Sequence, residues 1–126
     1  MKLTYSDIFV AISTDKIELL VDFYSQLLQQ QPNVYRPLTY GEFQLEKLRI
    51  GIFQPKPEHQ AEFNHNGKGS ISFCLEVASL EEAISCVSNL GYPPPGKIIE
   101  ASHGKEIYAY DPTGNRIILH QSRTPE

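Results

Sequence analysis

"DPTGNRIILHQ", residues 111–121, is the stretch whose reading decides the fold. Asp111-Pro112-Thr113-Gly114 carries turn chemistry: Asp suits the first position, Pro fixes the second, and Gly supplies a permissive backbone at the end. "YAY" (108–110) before it and "RIILH" (116–120) after it alternate as strands do. The whole reads as a hairpin. Its second strand also has a counterpart earlier in the chain. Laid on "RIILHQ" (116–121), "RIGIFQ" (49–54) is identical at Arg, Ile and Gln.

Working outward, the rest of the chain doubles in the same way. "IFVAIST" (8–14) falls on "ISFCLEV" (71–77), and a helical pattern follows each. The first helix shows apolar spacing at Ile17, Leu20, Val21, Tyr24 and Leu27/Leu28, with Thr14 or Asp15 as its N-cap. The second places Leu80, Ala83/Ile84, Val87 and Leu90 on one face, with Gly91 as its C-cap. Three strand-like pieces follow each helix: "VYRPL", "GEFQLEKL" and "RIGIFQP", then "YPPPGKIIE", "KEIYAY" and "NRIILHQ". Pro93 to Pro95 cannot all pair in a central strand and belong to a lead-in or an edge. The offset between matched residues grows from 63 (Phe9 on Ser72) to 67 (Arg49 on Arg116), which puts four extra residues in the loops of the second half. The expected architecture is α+β: two tandem βαβββ units forming a curved, cleft-enclosing mixed sheet with helices outside. Residues 1–126 make one domain, with unit one at 1–56, a connector at 57–68 and unit two at 69–122. Each unit alone is too small for a good core, so it packs on the other or on a second chain.

Composition narrows the partners. A net charge of −4, with eleven scattered Lys and Arg, excludes nucleic acid as the default, because phosphate binding needs a clustered basic face. No segment has the apolar length of a signal peptide or membrane span, so a cytoplasmic protein is expected. Cys74 and Cys86 lack zinc spacing and read as two buried, reduced thiols.

The tandem βαβββ pattern resembles the vicinal oxygen chelate superfamily, which includes glyoxalase I, bleomycin-resistance proteins, fosfomycin-resistance enzymes and extradiol dioxygenases. The likeness rests on "FVAISTDKIELLVDFYSQLL", "FCLEVASLEEAISCVSNLG" and above all "DPTGNRIILHQ". Metal-dependent members place four ligands on the sheet, two per unit, typically His or Gln on a first strand and Glu or His on a last strand. The resemblance carries these roles to Phe9 in unit one and to Ser72 and Ile118 in unit two, and the internal repeat matches Gly51 of unit one to Ile118. A divalent ion needs N or O donors at about 2.0–2.3 Å. Phe, Gly and Ile offer no side-chain donor, so neither metal nor cofactor is expected.

Alternation along the strands then fills the cleft. Ala11 and Ser13 accompany Phe9, Arg49 and Phe53 accompany Gly51, Cys74 and Glu76 accompany Ser72, and Arg116 and His120 accompany Ile118. Tyr108 joins them if the third strand of unit two faces the same way, although Tyr108 and Tyr110 read first as sheet packing. Such a mixture suits a small organic ligand with an anionic or hydrogen-bonding group. Each polar member also has a plainer role: His120 capping the sheet, Arg49 and Arg116 pairing with carboxylates such as Glu76 or Asp111, and Glu76 paired or at the rim. His59, His65 and His103 lie in polar loops and read as solvated.

The expected function is a small-molecule binding protein of the bleomycin-resistance type, a homodimer by analogy with its relatives. Two alternatives stay open. One is a glyoxalase-type lyase, isomerase or dioxygenase that works through a displaced metal or by acid/base chemistry at His120 and Glu76. The other is a protein-interaction module with a vestigial cleft.

Overall fold

The computed structural model describes residues 3, 4, 6–63 and 69–123. The chain divides near residue 64 into two compact units of the same construction. In unit one, β1 (Val10–Ser13) leads into α1 (Ile17–Leu28), followed by β2 (Val34–Arg36), β3 (Tyr40–Gln44) and β4 (Arg49–Phe53). In unit two, β5 (Phe73–Glu76) leads into α3 (Leu80–Asn89), then β6 (Ile99–Ala101), β7 (Gly104–Tyr110) and β8 (Arg116–Ser122). The sheet orders are β1-β4-β3-β2 and β5-β8-β7-β6, each with one parallel pair and two antiparallel ones. Both are therefore α+β units with a mixed sheet, as the sequence pattern predicts.

The repeat holds in register. Val10 lies opposite Ile50 in β1–β4, and Phe73 lies opposite Ile117 in β5–β8. One residue earlier, these ladders set Phe9 beside Arg49 and Ser72 beside Arg116, the same residues that the sequence match equates.

Each core lies between one sheet face and one helix. In unit one Ile12, Phe43, Ile50 and Ile52 bury against Ile17, Leu20, Val21 and Tyr24 of α1. In unit two Ile107, Ala109, Ile117 and Leu119 do the same with Leu80 and Val87 of α3. Because side chains alternate along a strand, the intervening residues occupy the face turned away from the helix. That face carries the candidate site.

Four details differ from the sequence reading. Neither Thr14 nor Asp15 is the N-cap of α1; Lys16 holds that position without a side-chain cap, and Thr14 Oγ1 instead accepts from Lys16 N at 2.9 Å. The described part of the connector, to which the sequence reading gave no element, forms a 3-10 turn at Pro57–His59 and a helical turn, α2 (Gln60–Phe63), because Pro57 at the first helical position pre-sets the backbone. Cys74 and Cys86 are free, but both are exposed rather than buried. Cys74 alternates onto the open face, and Cys86 lies off the apolar stripe of α3. As expected, Pro93 to Pro95 lie outside β6; Gly91 (φ +101°), read as the C-cap of α3, instead follows the C-cap Leu90 as the next residue, with Tyr92 N donating to Val87 O in a Schellman-type end.

Candidate functional site

In unit one, the open face carries Phe9, Ala11, Ser13, Arg49, Gly51 and Phe53 along β1 and β4, with Tyr40 and Glu42 contributed by β3. Arg49 forms an ion pair with Asp7 and lies over the Phe9 ring, 4.1 Å from its centroid. Its Nε is buried without a hydrogen-bond partner among the described residues. Gly51 is covered by Tyr40: a Cβ there would meet the phenol oxygen at 2.9 Å. Tyr40 donates to Glu42 at 2.7 Å, and burial, then this bond to a carboxylate, pushes its phenol above the ordinary 10.0. The phenol is therefore protonated at neutral pH and works as a donor.

At the end of this face, Phe53 meets Phe63 of α2 edge-to-face, with ring centroids 5.2 Å apart. Together with Lys56, His59 and Glu62 they line a shallow pocket of about 590 Å³. Phe53 is the one expected cleft residue that walls it. The reading of His59 as a solvated loop residue missed the helical turn that closes the pocket. The signal was Pro57-Glu58, a helix start within a polar run.

In unit two, Ser72, Cys74, Glu76, Arg116, Ile118 and His120 share the open face of β5 and β8, and Tyr108 and Glu106 extend it along β7. Tyr108, opposite Ile118 and 37% exposed, faces this surface, so it is not confined to packing within the sheet. Arg116 donates to Ser72 Oγ at 2.9 Å and to the Gly69 carbonyl at 3.1 Å, rather than pairing with Glu76 or Asp111. Asp111 is committed elsewhere, to its own turn.

The polar centre of unit two is a chain of three side chains. Glu76 Oε1 accepts from His120 Nδ1 at 2.7 Å, while Oε2 accepts from Ser122 N and Ser122 Oγ at 2.8 and 2.7 Å. On its other side, His120 Nε2 lies 2.9 Å from His103 Nδ1. With nearest nitrogens 2.9 Å apart and ring centroids 5.1 Å apart, the two imidazoles meet edge to edge rather than face to face. His103 is an exposed turn residue, as read from the sequence, and the β6–β7 hairpin nevertheless brings it against His120. His65 lies outside the described residues.

The Ser122 hydroxyl, then His120, hold the Glu76 carboxyl below its ordinary 4.5. A depressed carboxyl contributes stability above its unfolded pKa and loses it as the pH falls through the folded value. Glu76→Gln is therefore expected to lower thermal stability at neutral pH. The gap between the two proteins should close as pH drops below about 4.5. A gap that persists unchanged in acid would reject the assignment. Cys74 shows the same local field: desolvation of its sulfur, then Glu76 and Glu106, push the thiol up from 9.0, so it is protonated and a poor nucleophile at neutral pH.

The residues at the four positions that the resemblance and the internal repeat equate with metal ligands do not fit a metal ion. Phe9 and Ile118 are hydrocarbon, Gly51 lies beneath Tyr40, and the Ser72 hydroxyl is engaged by Arg116.

No protein-family model and no curated protein matches the chain. Solved structures do. A protein from Agrobacterium tumefaciens determined by NMR aligns with a TM-score of 0.78 at 20% identity, over 97% of this chain and 100% of its own. A glyoxalase/bleomycin resistance protein from Catenulispora acidiphila aligns at 0.64 and 22%, over 93% and 98%. The lactoylglutathione lyase of Agrobacterium tumefaciens aligns at 0.68 and 17%, over 95% and 96%. The fold is that of the vicinal oxygen chelate superfamily. At these identities the likeness fixes the fold and leaves the chemistry to the residues. No described helix is long and apolar enough to cross a membrane.

Proposed function

We propose that this chain is a small-molecule binding protein on the glyoxalase/bleomycin-resistance fold, one that has given up the four inherited metal-ligand positions. The observation that carries the reading is the pocket beside Phe53. Its volume of about 590 Å³ lies within the range of organic-ligand sites, and an edge-to-face pair of phenylalanines walls it next to Lys56. Such a wall suits a flat, apolar ring, and the ammonium suits an anionic substituent on it. We propose further that the working form is a homodimer. Ile8 and Ile71, equivalent in the repeat, are 80% and 86% exposed, and burying them against a second copy would remove apolar surface from water.

A panel of aromatic carboxylates, screened against chelator-treated protein by thermal shift and ligand-detected NMR, tests the reading. At least one should bind, and Phe53→Ala should weaken it about tenfold or more, given about 1.5–3 kcal/mol for burying such a ring. Binding that is indifferent to Phe53→Ala, or no binding across the panel, would sink it. Sedimentation of the untagged protein checks the dimer.

The Glu76–His120–His103 chain favours one second reading, an acid/base enzyme. A carboxylate that orients an imidazole is the usual support for a general base. Turnover abolished by His120→Ala in a folded protein would establish it.

A further inference from the structure

The polar cluster of unit two is not something its fold requires. Unit one builds the same four-stranded sheet with Ser13, Tyr40 and Phe53 at the positions that Glu76, Glu106 and His120 hold in unit two. We propose that His103 Nδ1, His120 Nε2 and a Glu106 carboxylate oxygen bind one divalent transition-metal ion of the zinc class. None of these three residues occupies the positions of Phe9, Gly51, Ser72 or Ile118. The site shares no residue with the pocket beside Phe53.

Geometry comes first. Ligand atoms of the three side chains all lie within 4.8 Å of one another, and the two nitrogens are 2.9 Å apart. Two neighbouring donors, each about 2.0–2.2 Å from one tetrahedral ion, stand about 3.3–3.6 Å apart, so the two nitrogens need to part by only about half an ångström. The set is therefore closed enough to share a cation. His103 is exposed, on a hairpin, so a rotation of its ring turns the facing lone pairs toward a common point without moving the sheet.

Protonation argues the same way. A carboxylate only accepts, so Glu76 draws a proton to His120 Nδ1, and in the neutral ring Nε2 is then the lone pair offered to a cation. A single proton shared between His103 Nδ1 and His120 Nε2 makes the observed 2.9 Å contact. A cation in that place lets both nitrogens act as donors. The Glu76–His120 bond is also the carboxylate–imidazole arrangement that orients metal-binding histidines.

Charge is the third argument. Two carboxylates, Glu76 and Glu106, flank the imidazoles, and the neighbouring Lys105 is paired with Glu81 instead. Among the described residues Glu106 has no ion pair. The cluster lacks a positive charge that a divalent ion would supply. Two nitrogens and one carboxylate form a borderline donor set, suited to zinc and its neighbours rather than to calcium or magnesium. Three protein ligands leave a coordination position open for solvent or a ligand atom.

The test uses the whole chain, stripped with chelator and titrated with zinc by calorimetry, with cobalt as a spectroscopic stand-in. One equivalent per chain is expected. Imidazole nitrogen resonances of His103 and His120 in the unaltered protein should shift on binding. Glu76→Gln should weaken zinc about 10- to 100-fold, and His103→Ala and His120→Ala should weaken it more. Phe53→Ala should leave zinc affinity unchanged, and His103→Ala should leave aromatic binding unchanged, so this proposal and the binding reading fail separately. No saturable zinc site, unshifted His103 and His120 resonances, or equal affinity in His103→Ala would overturn the proposal.

Discussion

Asp111→Ala is expected to destabilise the protein by about 3 kcal/mol, from about 1.5–3 kcal/mol for each hydrogen bond to a charged group. Asp111 is 3% exposed, and its carboxylate organises the turn. Oδ1 accepts from Thr113 N, Thr113 Oγ1 and Asn115 N at 3.0, 3.2 and 3.0 Å, and Oδ2 accepts from Asn115 Nδ2 at 2.8 Å. Removing it leaves two backbone donors without their acceptor. Thr113 and Asn115 are only half-buried, so water returns part of the loss and the bonds do not simply sum. For a chain of this size that loss amounts to about 10 °C in Tm. Asp111→Asn keeps one carbonyl oxygen for the backbone donors and should lose about half as much. Urea melts of the two variants give the comparison. A loss under about 1 kcal/mol for Asp111→Ala would show that Pro112 and Gly114 hold the turn unaided.

That turn explains why so much of the fold was legible in the sequence. Asp111-Pro112-Thr113-Gly114 fixes the Tyr110–Arg116 register, and strict alternation in "RIILH" then decides which side chains face the helix. The Arg49–Arg116 match transfers the same assignment to unit one. Those signals are local and periodic, so they survive without knowledge of tertiary contacts. The candidate site was legible only where it lay on the repeat. Glu76 and His120 belong to β5 and β8 and could be placed by alternation. His103 could not, because its approach to His120 depends on how the β6–β7 hairpin closes, and "SHGK" carries no period. Tyr40 over Gly51 was hidden for a related reason: it lies on β3, and matching β4 with β8 says nothing about which neighbour leans across. Phe63 entered through a helical turn too short to show amphipathic spacing. Cys74 was misjudged because a general tendency of thiols toward burial was preferred to the alternation that places it beside Ile118 on the open face.

The hairpin that delivers His103 should also be the most sensitive backbone position in unit two. Gly104 opens β7 at φ +146°, and an added Cβ would stand 2.2 Å from the Gln121 carbonyl oxygen and 3.0 Å from Ser122 Cα. Both are backbone atoms of the partner strand, so no side-chain rotation relieves the clash. Gly104→Ala must part β7 from β8 at this end, where Gly104 lies opposite Ser122 and Arg123 N donates to His103 O. Backbone strain of about 1–3 kcal/mol and a lost ladder bond of about 1 kcal/mol together predict a loss of about 3 kcal/mol. Gly91→Ala is the control, since Gly91 also has positive φ (+101°) but open space around its Cβ position. It should lose only about 1–2 kcal/mol, the cost of left-handed backbone for an L residue. Because the parted strands carry His103 away from His120 and Ser122 away from Glu76, Gly104→Ala should also weaken zinc binding as His103→Ala does, while Gly91→Ala leaves it unchanged. Equal stability losses for the two glycine variants would mean that the β7–β8 end yields without strain, and that His103 is not held against His120 by the hairpin.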